Sequence, residues 1–458
     1  MDKFIEIVNN DYQEILRGTD PKYHLFFDSI NWWKKAFGSW SEKRRVKNAT
    51  EYDPSTDISK LKSIECKYLV KKTIKKEVLQ KIHELITNEN TTDFKLIRAA
   101  LEKMYDYNLP STIPNLDNWK KYKEDNPINI MIMGAGPLGL YTALYLNEYY
   151  NKNIIHGRDN KKTILNQYVN ILIIDNRIYK EGIKKPYTRV TQFGFDITQI
   201  QPFIKQIFCW KNNDVWSSRK FDFINVLENL LYISAYHENI SMKFTKQFED
   251  YNDIKKFMKK EDIHYLFDCT GGRLKNSPNG SIKWNKYKFI KDNQEVKYNN
   301  DTKYFELLED NKLFTKTVFV LELLDKSKKQ ILVGNAFGFV TDESDHEILN
   351  KYRNMCFLKK DYITLSKHFK SDSIRHLLSF IINDVKIPNN KIVYVRITYF
   401  NSIARHAGFA AIKITDRSSY IKLGDSLGGT EFGIIFGMKS SVLFSKHICN
   451  LLSSVKYF

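Results

Sequence analysis

The stretch INIMIMGAGPLGLYTALYL, residues 128–146, decides how the chain is read. Six consecutive apolar or amide residues, 128–133, form a short continuous run of the kind found in a strand buried on both faces. The run passes without a break into Gly134, Gly136 and Gly139, spaced G-x-G-x-x-G, and then into a strong helix former. Each glycine has a mechanical reason. Gly134 permits a tight turn, Gly136 lets backbone approach a pyrophosphate, and Gly139 lets the helix pack closely on the strand. Pro137 and Leu138 open the helix, whose N-terminus supplies about half a positive charge to an anion. Strand, glycines and helix in this order imply dinucleotide binding.

Working outward, ILIID (171–175) reads as a second buried strand, YLFDCTGG (265–272) as a later one, and YIKLGDS (420–426) as another. Strands alternating with helices give an α/β class with a Rossmann-like parallel sheet. Asp175, at the end of the second strand, is placed to accept hydrogen bonds from an adenosine ribose. It stands beyond the spacing of about 20 residues usual for such an acid, so residues 151–167 are expected to be an insertion between helix and strand. Arg177, two residues on, is expected to pair with the adenosine phosphate.

Residues 1–122 carry Lys, Glu, Leu and Ile at helical spacing and are expected to form a helical extension. Trp32, Trp33 and Trp40 read as anchors of a small core. Residues 108–118, with two prolines, read as a linker. The dinucleotide-binding domain is then 126–280 with 402–458. Residues 281–401, with runs such as TVFVLEL and KIVYVRITYF, are expected to form a smaller antiparallel substrate sheet.

Composition excludes several classes. With 42% hydrophobic and 14% aromatic residues the 458-residue chain is not disordered. It has no apolar run of membrane-spanning length, and its acidic N-terminus is unlike a signal peptide. The 5 cysteines are scattered without C-x-x-C, and the 10 histidines lack ligand spacing, so neither a disulfide framework nor a metal site is expected. An intracellular, cytoplasmic setting follows, including the cytoplasm of a virus-infected host. The net charge of +19 admits nucleic acid as a minor reading. The lysines are spread rather than clustered, among many Asn and Ile, which is the signature of an AT-rich coding genome.

Three separated segments over about 126–455 resemble the FAD-dependent monooxygenases of the para-hydroxybenzoate hydroxylase type, including the MICAL branch. GAGPLGLYTALYL with IIDNR is similar to their first FAD fingerprint. FDCTGGR (267–273) is similar to their D-A-T-G strand end, with Cys269 in place of Ala. LGDSLGGTEFGIIFGMKSS (423–441) is similar to their late G-D motif. The resemblance implies FAD as cofactor, with NAD(P)H as a transient co-substrate, and a small organic substrate. It implies contacts from Asp268, Thr270, Gly271, Gly424, Asp425 and Gly433, with Asp425 on a ribityl hydroxyl. A fourth segment, KKPYTRVTQFGF (184–195), resembles the family's Arg-containing loop and places Arg189 near the flavin or its pyrophosphate. The His and Pro that follow G-D in the aromatic hydroxylases are replaced here by SLGGTEF, and there is no second glycine fingerprint. No catalytic residue stands out; Arg405 and His406 read as structural. An FAD oxidase or dehydrogenase without NAD(P)H, and a basic scaffold retaining the flavin fold, remain as alternatives.

Overall fold

The computed structural model describes residues 1–17, 50–59, 61, 64–65, 72–73, 77, 81, 107–110, 119–121, 126–151, 168–180, 183–184, 224–278, 295–299, 304–309, 312–313, 315–324, 336–340, 342–352, 355–358, 361–383, 394–403, 405–429 and 436–454. Its centre is a six-stranded sheet. In chain order the strands are β1 (Ile128–Met133), β2 (Val169–Asp175), β3 (Ser241–Phe244), β4 (Tyr265–Asp268), β5 (Ala411–Thr415) and β6 (Ser418–Lys422). They lie side by side as β5-β6-β4-β1-β2-β3. All neighbours are parallel except the β5–β6 hairpin. Met133 pairs with both Ile174 and Asp268, and Asp268 with Lys422. Four strand tips therefore end level with one another, at the edge where the chain order of a doubly wound sheet leaves a crevice.

The sheet is buried on both faces, as a continuous apolar run requires. Ile128, Ile130 and Ile132 of β1 join one core with Ile171 and Ile173. Met131 and Met133 point the other way, into a core with Leu172, Ile174, Leu266 and Tyr420. On the first face, helix α2 (Pro137–Leu146) connects β1 to β2 and is buried over its whole length. It packs between α3 (Ile224–His237) and the last helix, α5 (Phe436–Ser454). Thr142 and Ser445 share a hydrogen bond of 2.7 Å across the α2–α5 contact, and the Tyr145 hydroxyl donates to Asn450 at 2.6 Å. Helix α4 (Tyr251–Lys260) covers the second face.

The chain's first helix, α1 (Asp2–Arg17), docks on this domain. Phe4, Val8 and Tyr12 recur every four residues, form one buried stripe and enter the first core. At about 1.5–3 kcal/mol for each large apolar side chain fully buried, the stripe is enough to hold the helix down. Asn9 adds hydrogen bonds to the backbone of Ala410 and Ala411. The strands described within residues 1–122 are short. Ile64–Glu65 joins a five-stranded antiparallel sheet with 355–358, 394–403, 315–324 and 336–339. Lys72–Thr73 pairs with Tyr107–Pro110, which pairs in turn with Ile183–Lys184. Residues 108–110, read from sequence as the start of the linker 108–118, thus belong to a strand, and the first of the linker's two prolines, Pro110, is itself paired, with Ile183. The antiparallel region divides between that five-stranded sheet and a further one built from 295–299, 304–309, 405–407 and 428–429. Trp32, Trp33 and Trp40, and residues 152–167 of the expected insertion, lie outside the described residues. Among the described residues no helix is long and apolar enough to cross a membrane, and no group of His, Cys, Asp and Glu could hold a metal ion.

Candidate functional site: a cleft at the strand tips

The turn after β1 is made by close approach. Gly134 has φ +105, and a Cβ there would lie 2.7 Å from the carbonyl oxygen of Cys269. A Cβ on Gly139 would lie 1.9 Å from the carbonyl oxygen of Gly134. Gly136 differs. It is the N-cap of α2 in extended conformation, its φ of −77 suits any residue, and no side chain caps the helix. A Cβ on Gly136 would meet only an Arg177 nitrogen, at 4.0 Å. Two glycines make the turn, and the third opens the positive end of the helix to whatever lies in front.

What lies in front is a cleft of about 160 Å³. Its lining brings together Gly134, Gly136, Pro137 and Leu138 from the first turn, and Asp175 and Arg177 from the tip of β2. Thr270 and Gly271 come from the tip of β4, with Gly424 and Asp425 after β6. Ten of the fourteen residues singled out from sequence therefore converge on one space. This volume is below the range of about 300–1,000 Å³ usual for a site enclosing a whole drug-sized ligand. The described residues enclose room for only part of such a ligand. Gly139 lies beneath the cleft, packed on Gly134. Arg189 and Gly433 fall outside the described residues.

Asp268 departs from expectation. It is buried, it is absent from the cleft lining, and its carboxylate is occupied by the protein itself. One oxygen accepts from the Thr270 amide (2.9 Å), the Thr270 hydroxyl (2.6 Å) and the Ser426 hydroxyl (3.0 Å); the other accepts from the Tyr420 hydroxyl. Ser426 in turn accepts from the amides of Gly271 (2.9 Å) and Gly272 (3.0 Å), both at positive φ. Asp268 thus shapes the rim from behind, fixing Thr270 and, through Ser426, the two glycines. Sequence reading missed Ser426 and Tyr420, although Ser426 sits inside the quoted G-D segment.

Asp175 is buried and faces the cleft edge. It accepts from the amide of Ala135 at 2.7 Å and from the amide of Arg177 at 2.7 Å. Burial pushes its carboxyl up, but the Arg177 guanidinium and its hydrogen bonds outweigh this and hold it below the usual carboxylate range. Arg177 pairs with Asp175 at 2.9 Å and, on its other side, with Glu228 of α3 at 3.1 Å. Glu228 also pairs with Lys184. Neither Glu228 nor Lys184 was singled out from sequence, though a lone acid within the apolar run INVLENLLYISA was a usable signal. Cys269, in the position where the resembled family has Ala, lines the cleft, and burial raises its thiol pKa well above the ordinary value. Arg405 and His406 lie on a strand paired with Gly429 and Gly428.

The groups around this cleft suit the adenosine and pyrophosphate of a dinucleotide: the donors of an uncapped helix N-terminus and a guanidinium beside it, and an accepting carboxylate at the tip of the next strand.

The chain is similar to solved flavoprotein structures. One is the p-nitrophenol 4-monooxygenase PnpA from Pseudomonas putida DLL-E4, at 11% identity over 71% of this chain and 79% of that one, with a TM-score of 0.35. Another is a triple mutant of a flavin-dependent brominase, at 10% identity over 71% and 81%, with a TM-score of 0.36. A third is a flavoprotein/dehydrogenase from Cytophaga hutchinsonii, at 9% identity over 72% and 80%, with a TM-score of 0.37. No protein-family model matches the chain, and no curated protein does.

Proposed function

We propose that this protein is an FAD-dependent oxidoreductase, and more narrowly an NAD(P)H-using monooxygenase acting on a small organic molecule. One observation carries the reading. Tips of β1, β2, β4 and β6, far apart in the chain, border a single cleft at the uncapped N-terminus of α2, where Gly136 leaves room for a ligand. The amides of the first turn and Arg177 would hold the pyrophosphate, and Asp175 the adenosine ribose. Gly424 and Asp425 would meet the ribityl end, with Thr270 and Gly271 between. When bound, FAD supplies hydride acceptance and oxygen activation; the chain supplies orientation and exclusion of water. The three motifs named from sequence support the flavin over other dinucleotides, because a single glycine fingerprint leaves NAD(P)H no domain of its own.

The experiment is direct. The purified protein, as isolated or after incubation with FAD, is expected to show flavin absorbance and to bleach rapidly with NADPH or NADH. A colourless protein that takes up no FAD overturns the reading. Bleaching by an organic donor alone, with none by a nicotinamide, replaces the monooxygenase with an oxidase or dehydrogenase. Retention on DNA that falls steeply with salt, in a protein without flavin, supports the basic scaffold instead.

A further inference from the structure

The cleft has a charged backing. Arg177 is gripped from two sides, by Asp175 at 2.9 Å and by Glu228 at 3.1 Å. The second oxygen of Glu228 is taken by Lys184. The side chains of Glu228 and Lys184 are 1% and 0% exposed, whereas that of Arg177 keeps 21%. The four groups alternate in sign: Asp175, Arg177, Glu228, Lys184. Asp175, Arg177 and Glu228 all border the cleft, and the arginine is the one set against the helix N-terminus, one of its terminal nitrogens standing 4.0 Å from the position a Cβ on Gly136 would take.

A buried ion pair is a poor stabiliser, since apolar residues of like volume usually do as well or better. Lys184 and Glu228 beside a ligand cleft therefore call for another role. Aligning a guanidinium is one that a buried carboxylate performs well, because the two-sided grip leaves the planar fork few orientations. Lys184 divides the attention of Glu228, so that Arg177 is aimed without being fully neutralised. Lys184 itself is delivered by the strand Ile183–Lys184, which pairs with Leu109 and Pro110 from the chain's N-terminal third.

We infer that Glu228, backed by Lys184, is a positioning residue that holds Arg177 against the N-terminus of α2 to receive the diphosphate of an adenosine diphosphate group. This rests on the dinucleotide reading above and goes beyond it by giving Glu228 and Lys184 a role in aiming Arg177.

The test uses the full chain, with ADP and FAD as separate probes, affinity by calorimetry and stability by thermal melting. E228Q is expected to lower ADP affinity about tenfold, the loss of one charge-assisted contact in alignment. R177K is expected to do at least as much, and the double variant R177K/E228Q no more than R177K alone, because Glu228 acts through Arg177. The variant K184M/E228Q removes both buried charges. It is expected to melt within a few degrees of the wild type while ADP affinity stays about tenfold down. Wild-type ADP affinity in E228Q overturns the inference, and so does recovery of affinity together with stability in K184M/E228Q. If E228Q does not fold, K184M/E228Q decides alone. A wild-type chain that binds ADP but not FAD ends the flavin reading and leaves this inference to the ADP measurements. A wild-type chain that binds neither overturns both.

Discussion

Gly139 stands so close to Gly134 that a Cβ on it would fall 1.9 Å from the Gly134 carbonyl oxygen, whereas a Cβ on Gly136, between them, would meet nothing nearer than an Arg177 nitrogen at 4.0 Å. Two neighbouring glycines of one motif thus answer to different demands, packing and ligand access. G139A is expected to destabilise the domain by about 1–3 kcal/mol or more through overpacking, measured by urea unfolding. G136A is expected to leave unfolding within about 0.5 kcal/mol while reducing FAD affinity about tenfold. Equal losses of stability in the two variants would count against the division of roles.

Asp268 works from behind the rim. D268N puts an amide where three donors converge on one oxygen or where Tyr420 donates to the other, so at least one donor loses its acceptor whichever way the amide turns. A loss of about 1–3 kcal/mol in stability is expected, with a parallel loss of FAD affinity as Thr270, Gly271 and Gly272 lose their anchor. Unchanged stability with lost affinity would instead mean that Asp268 touches the ligand.

Asp175 makes stability depend on pH with a definite sign. Its folded pKa lies below the ordinary 3.8, so the unfolded state binds the proton more tightly. The contribution is at full strength above about pH 4 and is lost as the pH falls through the depressed folded value. In D175N this part of the slope is expected to vanish. Melting curves of the two proteins from pH 5 downward should therefore converge at the acid end. Curves that stay parallel would show that Asp175 is not held low.

Burial raises the thiol pKa of both Cys269 and Cys449. At pH 8 both are expected to resist iodoacetamide in the folded protein and to react in urea, read by peptide mass spectrometry. Fast alkylation of Cys269 in the native state would show that the cleft floor is more open than described.

Much of the site was legible because the first turn of a doubly wound sheet is local. Strand, glycines and helix are contiguous, so their spacing carries the geometry, and Gly134, Gly136, Pro137 and Leu138 fall where their order implies. Asp268 was read as a ligand contact for a physical reason. A strand buried on both faces has no polar–apolar alternation, and without alternation nothing in the sequence says which face a terminal side chain takes. It takes the face of Tyr420. Arg177 was visible as a charge after a strand, but its partners Glu228 and Lys184 are brought in by other elements. The strands at 64–65, 72–73 and 107–110 are two to four residues long. Pieces that short leave no periodicity, and only their distant partners define them.

The hydroxyl of Tyr12 finds its acceptors at the carbonyls of Ala407 and Leu427. A ribosome adding about 5–20 residues per second needs roughly 20–80 s to get from one to the others. Until then the opening helix has Tyr265 for Phe4 but lacks the strand Ala411–Thr415 and the helix Phe436–Ser454 that complete its seat. The parallel sheet meanwhile lacks its last hairpin, so nascent chains of this protein are natural clients for chaperones that shield exposed apolar helices until residues 411–422 have emerged.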